Sequence, residues 1–358
     1  MPDDRPSDPA DPPVRIGLLG AGLIAGYHAV QLNVAAVPNR IVAVHDPDPG
    51  RATALAAGQG AEVTDEAGVI EASDAVFICT WTSEHLRLAE AAARAGRPVF
   101  CEKPLGTDLA GARAVTAALA PVPAMVGLVL RSTPALLGLR EMVRDPAAGR
   151  VMNVVFRDDQ YLPTQGMYAS TWRGDPALAG SGVLLEHSIH DLDIIEWLFG
   201  EVDSVAALQG EFHGISGIED SVALLARLSA GGSVSLTTVW HDVLSRPSQR
   251  RVEVFCERAT LTLEGEFDGP LRRETSDGEE VLEGDALRDW LTARDVDLRS
   301  AEEQFLTAVA AHLRGEAVGR LDPDPADALR AHVLADAVYR SAGGHGDQVA
   351  VPAARPRG

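Results

Sequence analysis

The stretch from Val14 to Ala25 constrains this chain more than any other. A short apolar run, Val14 to Leu19, ends in Gly20-Ala21-Gly22-Leu23-Ile24-Ala25, and apolar residues then recur at helical spacing until Pro38. A strand that turns into a helix through G-x-G-x-x-G/A brings backbone N–H groups up to a pyrophosphate. The first glycine makes the tight turn, the second leaves no side chain in the way, and the phosphates rest on the helix N-terminus. Glycine-rich turns are common, so the context decides. Asp46 closes the next β-branched run, Ile41 to Val44, twenty-six positions after Gly20. A carboxylate there accepts hydrogen bonds from the adenosine ribose hydroxyls and repels a 2′-phosphate. Gly20, Gly22, Leu23, Ile24 and Asp46 are therefore expected on a dinucleotide, NAD in preference to NADP. Arg51 is near enough in sequence to keep NADP open.

The rhythm that follows fits this start. Ala75 to Cys79, Val99 to Cys101 and Met125 to Leu130 read as strands, separated by helical stretches from about Ser83 to Ala95 and from Thr107 to Leu119. Ser83 suits an N-cap, and Gly96 stands just past the helix end. Alternating strands and helices imply a parallel, doubly wound sheet, an α/β Rossmann dinucleotide-binding domain over 14–130. After Leu130 strands dominate: Val151 to Arg157, Ser204 to Leu208, Ser221 to Leu228, Ser233 to Val239, Arg251 to Cys256 and Thr260 to Leu263. These predict an α+β domain over 131–350 with a large, mostly antiparallel open sheet covered on one face. One long helix, Leu185 to Phe199, interrupts them. Two more, Glu302 to Leu313 and Ala326 to Ser341, close the chain and are free to pack back on the first domain. A helix-free sheet face would expose too much apolar area for a monomer. A homodimer or homotetramer joined sheet to sheet is expected.

Composition narrows the function. Residues 1–13 are polar, acidic and proline-rich, a disordered lead-in without the apolar core of a signal peptide. No apolar run reaches the ~18 residues of a membrane span. A net charge of −21 argues against a nucleic-acid partner. The 3 cysteines, Cys79, Cys101 and Cys256, are too scattered for a disulfide framework; they read as buried thiols in a reducing, cytoplasmic setting. His28, His85, His187 and His241 fall in no H-x-x-x-H or carboxylate pattern, so no metal is expected.

Four motifs in order resemble the glucose–fructose oxidoreductase, inositol dehydrogenase (Gfo/Idh/MocA) family. His28 follows the glycine loop, as in that family. Thr80 to His85 is similar to the family's T-P-N-x-x-H loop, with Trp81 and Thr82 in place of Pro-Asn. Glu102-Lys103-Pro104 is its E-K-P. Gly180-Ser181-Gly182 and then Glu186-His187-Ser188-Ile189-His190-Asp191-Leu192-Asp193 resemble its G-G-G…D-x-x-x-H-x-x-D. Weaker matches, such as Asp336 to Gly344, extend the resemblance from about Val14 to Val351.

The resemblance implies an NAD-dependent oxidoreductase acting on a secondary hydroxyl or ketone of a sugar, sugar derivative or cyclitol. It implies that Lys103 and His190 are catalytic, with the residue at 186 as their partner. That residue is aspartate in the family and Glu186 here, one methylene longer, which suits orientation or substrate contact better than proton transfer. Thr80, Trp81, His85, Glu102 and Lys103 are implied cofactor contacts, and Arg131, Trp172, Arg173 and Asp193 implied substrate contacts. The chemistry agrees: alcohol oxidation needs a base of near-neutral pKa and a cation to stabilise developing alkoxide. At ~100° per residue, Glu186, His190, Asp193 and Trp197 would share one helix face. Two other readings remain open. A redox glycosidase on the same scaffold would show no net NADH formation. A non-catalytic NAD-sensing regulator is disfavoured by the retention of Lys103 and His190.

Overall fold

The structure, a computed structural model, describes residues 12–166 and 169–354. Of the expected lead-in, only Pro12 and Pro13 fall within it, both exposed; residues 1–11 lie outside the described residues. The described residues divide into two compact units. The first runs to Leu105 and includes Arg113–Gly127 and Arg299–Pro325; the second comprises Gly106–Ala112, Leu128–Leu298 and the chain from Ala326 on. The sequence expects a division near 130, with the closing helices free to pack back on the first domain; the 299–325 segment falls in the first unit.

The first unit contains β1 (Val14–Leu19), α1 (Leu23–Val34), β2 (Asn39–His45), α2 (Pro49–Gln59), β3 (Glu62–Val63), α3 (Glu66–Ala72), β4 (Ala75–Ile78), α4 (His85–Arg94), β5 (Val99–Cys101), most of α5 (Leu109–Leu119) and β6 (Ala124–Val126). Its six strands run in the order β3-β2-β1-β4-β5-β6, all parallel. The central strands are apolar on both faces and buried, as a doubly covered sheet requires. Two helices, α2 and α3, are additions to the sequence reading. Their Ala-Gly-rich segments show little amphipathic contrast, but Asp48 and Asp65 cap them through backbone N–H groups. Met125 to Leu130, expected as one strand, stops at Val126 and turns through a short 3-10 segment, Val129–Ser132.

The second unit contains α6 (Pro134–Arg144), β7 (Val151–Tyr161), α7 (Pro176–Ala179), α8 (Ile189–Phe199), β8 (Val202–Gly210), β9 (Ser221–Leu228), β10 (Ser233–His241), β11 (Gln249–Cys256), β12 (Thr260–Glu264), β13 (Leu271–Thr275), β14 (Gly278–Leu282) and α9 (Gly284–Thr292). After α10 (Ala301–Leu313) in the first unit come α11 (Pro325–Gly343) and β15 (Val349–Ala350). The sheet order is β14-β13-β12-β11-β7-β10-β9-β8-β15, and only β7 and β10 pair in parallel. Alternate residues divide the faces. Val154, Phe156, Val252, Val254, Leu236 and Trp240 are buried, with α6 against β12 and β13. The other face leaves Val155, Leu208, Leu225, Phe255 and Val281 exposed among serines, threonines, arginines and glutamates.

α10 joins the first unit for a packing reason. Phe305 meets Phe77 and Phe100 edge-on at 5.5 and 5.6 Å, and all three are fully buried.

Candidate active site

In the first unit, the strand–turn–helix leaves an open cradle. Gly20 has φ +97°, and a Cβ there would lie 2.4 Å from the Cys79 carbonyl oxygen, so only glycine fits. A Cβ on Gly22 would meet nothing within 4 Å. Gly22 is the N-cap of α1; no side chain caps this helix, and no acidic residue stands in its first turn. Its leading N–H groups are thus left to an anion from outside, which fits a pyrophosphate. Leu23, beside the cradle, is exposed.

Asp46 closes the arrangement. Its Oδ2 accepts from Ala21 N at 2.7 Å and its Oδ1 from Asp48 N at 2.8 Å. The glycine loop itself therefore fixes this carboxylate, and each oxygen keeps a lone pair for a ribose hydroxyl. Arg51, the residue that kept NADP open, lies 3.6 Å from Asp48 in an exposed pair. The residues present suit NAD.

The turn after β4 presents Thr80 half-buried and Trp81 exposed. His85 begins α4 just beyond. It is 1 % exposed, with Nδ1 3.0 Å from the Pro104 carbonyl, and burial pushes its pKa down. The contact with the Pro104 carbonyl braces the Glu102-Lys103-Pro104 turn. Glu102 is also enclosed: its Oε1 lies 2.8 Å from His28 Nε2, and its Oε2 accepts from Lys103 N at 3.2 Å. Lys103 itself is half-buried at the end of β5. Sequence reasoning quoted His28 only as a motif match. It missed Glu302, 2.7 Å from His28 Nδ1, because no spacing signal spans 274 residues.

In the second unit, the helix expected over Leu185–Phe199 is two pieces. Val183–His187 form a π turn, closed by Ser188 N to Val183 O at 2.8 Å, and α8 begins at Ile189. The wider turn breaks the single polar stripe expected for Glu186, His190, Asp193 and Trp197. π turns of this kind concentrate at functional sites.

Glu219, missed by the sequence reading, anchors this turn. It accepts from Ser181 Oγ (2.9 Å), Gly182 N (2.8 Å), Leu184 N (3.0 Å) and Tyr339 Oη (3.0 Å). A Cβ on Gly182 would lie 1.9 Å from the Glu219 carbonyl oxygen, which explains the glycine.

Glu186 is buried, and Arg173 Nε donates to its Oε1 at 2.5 Å. The Arg173 guanidinium also lies 4.7 Å from the centre of the Trp172 ring. The structure thus brings together three expected residues, Glu186, Trp172 and Arg173. Arg131 and Asp193 are brought together too, in a two-pronged pair at 2.8 and 2.5 Å, and both are at least nine-tenths buried. The pair ties the start of the second unit to α8. His190 stands half-buried in the first turn of α8.

Beneath it lies a second buried ionic group. Arg250 reaches Asp191 Oδ1 at 2.7 Å, Asp158 Oδ2 at 2.8 Å and Glu266 at 3.1 Å; His187 Nε2 is 2.8 Å from Asp158 Oδ2. Burial opposes ionisation of both aspartates, but Arg250 and His187 hold Asp158 well below the usual carboxylate range. Asp191 is pushed well up by burial and by Asp158. Among the described residues, no group of three or more His, Cys, Asp or Glu side chains could hold a metal ion, and no helix is long and apolar enough to cross a membrane.

Comparison with known proteins adds to this geometry. Residues 14–128 match the oxidoreductase family with an NAD-binding Rossmann fold, and residues 136–262 match the GFO/IDH/MocA C-terminal domain. An inositol 2-dehydrogenase from Rhizobium meliloti (strain 1021) is 30% identical over 340 residues, 92% of this chain and 96% of the relative. Among solved structures, an inositol dehydrogenase homolog complexed with NAD+ from Azotobacter vinelandii shares the fold. Its TM-score is 0.81 at 21% identity, covering 97% of this chain and 99% of that one. A levoglucosan dehydrogenase in complex with NADH superposes with a TM-score of 0.80 at 21% identity, covering 95% of this chain and 100% of that chain.

Proposed function

This chain belongs to the GFO/IDH/MocA family of oxidoreductases with an NAD-binding Rossmann fold, and from that premise we propose that its substrate is a cyclitol, oxidised at a secondary hydroxyl. It is an NAD-dependent oxidoreductase of the sugar and cyclitol class. The observation that best supports the narrower reading is the similarity to an inositol 2-dehydrogenase along nearly the whole of both chains.

The open N-terminus of α1 and Asp46 would hold the cofactor, whose nicotinamide supplies the hydride acceptor when bound. In the proposed reaction, His190 takes the hydroxyl proton as general base. The Lys103 ammonium orients the same oxygen and stabilises the alkoxide as it develops. The C–H bond yields its electron pair and hydrogen as hydride, and the carbinol carbon becomes a ketone. Glu186, held by Arg173, is assigned to orienting substrate. Trp172 offers a ring for the C–H face of a polyol.

We extend the proposal to a cytoplasmic homodimer or homotetramer. Three buried free thiols, Cys79, Cys101 and Cys256, support a reducing setting. The exposed apolar residues on the open sheet face support self-association. The test is NADH absorbance with NAD and a panel of inositols, anhydrosugars and sugars. Turnover fastest with an inositol supports the reading; turnover with sugars alone moves the substrate class.

A further inference from the structure

We infer that His28 is a positioning residue for Lys103: enclosed between Glu302 and Glu102, it fixes the carboxylate that holds the lysine's backbone at the end of β5. The inference rests on the proposed role of Lys103 at the reacting hydroxyl.

His28 lies in the second turn of α1 and is 0 % exposed. Its Nδ1 is 2.7 Å from Glu302 Oε1 and its Nε2 2.8 Å from Glu102 Oε1. A neutral imidazole has one N–H, whereas the imidazolium has two, so only the charged ring can donate to both carboxylates. Burial alone would lower the pKa of this ring, but hydrogen bonds and charge from the two glutamates raise it to about 9. The other oxygen of Glu102 accepts from Lys103 N at 3.2 Å. A chain of contacts therefore runs from α10 through α1 to the lysine.

The surroundings leave Glu102 little choice of position. A Cβ on Gly127 would lie 2.2 Å from its Oε1, so glycine at that position is what admits the carboxylate. Phe77 and Phe100 wall the imidazole at 5.4 and 5.0 Å between ring centres. The other titratable groups nearby stay neutral. Burial pushes the Cys79 and Cys101 thiols up, with Glu102 adding to it; Tyr27 is raised by burial, Glu302 and Glu102. His85 is pushed down by burial. The imidazolium thus joins the two glutamates from within this pocket. Buried ionic groups can often be replaced by well-packed apolar residues without loss of stability. Packing alone does not ask for the arrangement; holding a reactive turn in one position does.

The test uses the full chain. At pH 8, 15N shifts of His28 in the cofactor-free protein should show both ring nitrogens protonated; a single protonated nitrogen would overturn the inference. His28→Leu combined with Glu302→Leu replaces the far half of the group by apolar side chains. In this variant, hydrogen–deuterium exchange over 99–106 should rise at least tenfold while the rest of the unit keeps its protection. Turnover should fall tenfold or more, with NAD affinity and KM for the alcohol changed about twofold or less. Wild-type exchange and turnover in that folded variant would make the group a packing device only. If the wild type oxidises no alcohol, the proposed function fails, yet the exchange and 15N arms still decide the role of His28.

Discussion

Each unit of this molecule holds a buried ionic group beside its candidate site residues, and the two are built differently. In the first, the hub is His28, whose charge exists only because Glu102 and Glu302 hold a proton on it. In the second, the hub is Arg250, a permanent cation that engages Asp158 beside His187 and Asp191 beside His190. A titratable hub makes its turn sensitive to alkali. A guanidinium does not titrate in any range where the protein folds, so this cation is present at every pH the fold survives.

The harshest way to break this comparison is to remove the permanent charge. Arg250→Met leaves Asp158 and Glu266 without their buried cation and should cost about 3–5 kcal/mol, the usual consequence of stripping one partner from a buried ionic group. Urea unfolding of wild type and variant measures it. A cost under about 1 kcal/mol would mean that water or the neighbouring histidine already compensates those carboxylates.

pH separates the two hubs next. The folded pKa of His28 is raised above its unfolded value, so its contribution is complete below about 6.5 and disappears as pH rises through about 9. The shift corresponds to about 3 kcal/mol, lost across that window, and Glu302→Gln should flatten the loss. In the Arg250 group, Asp158 is lowered, so its contribution is lost only in acid, whereas Asp191 is raised, so its effect runs the other way and appears as pH rises. Stability measured from pH 6 to 10 should therefore fall in the wild type and fall less in Glu302→Gln.

A smaller effect concerns the cofactor. Asp46→Ala should erase the preference for NAD over NADP, worth ~1–3 kcal/mol on the scale of an unpaired buried polar contact. Isothermal titration with both cofactors reads it directly; a wild type that binds NADP as well as NAD would remove the ribose role of Asp46. Smallest in energy per chain is the open sheet face. Leu225→Lys, in a central exposed position on β9, should shift a dimer or tetramer toward monomer in light scattering at micromolar concentration. An unchanged mass would move the interface elsewhere.

The same contrast explains what could be read in advance. The cradle of the first unit was legible because it is local: Gly20, Gly22 and Asp46 lie on consecutive elements of one repeating pattern, and strand apolarity marks each step. The sheet of the second unit was legible through alternation, except at β13 and β14. There Arg272, Arg273, Glu279 and Glu280 make the hairpin look like a charged loop. The bracing was not legible. Glu302, Glu219 and Arg250 act on residues far away in sequence, and no period or spacing connects them. The π turn was hidden for another reason: Val183 to Phe199 has the composition of one continuous helix, and the Glu219 carboxylate that holds Gly182 N and Leu184 N comes from a distant part of the chain.

The central claim is that His190 removes the proton while Lys103 steadies the oxygen of a cyclitol hydroxyl. Stopped-flow NADH absorbance with saturating NAD and an inositol, comparing wild type with His190→Ala at about neutral pH, tests it most directly. The account predicts an NADH burst in the wild type and turnover lower by ~10²–10⁴ in the variant, with NAD affinity unchanged. Hydride transfer at a near-wild-type rate in His190→Ala would contradict it.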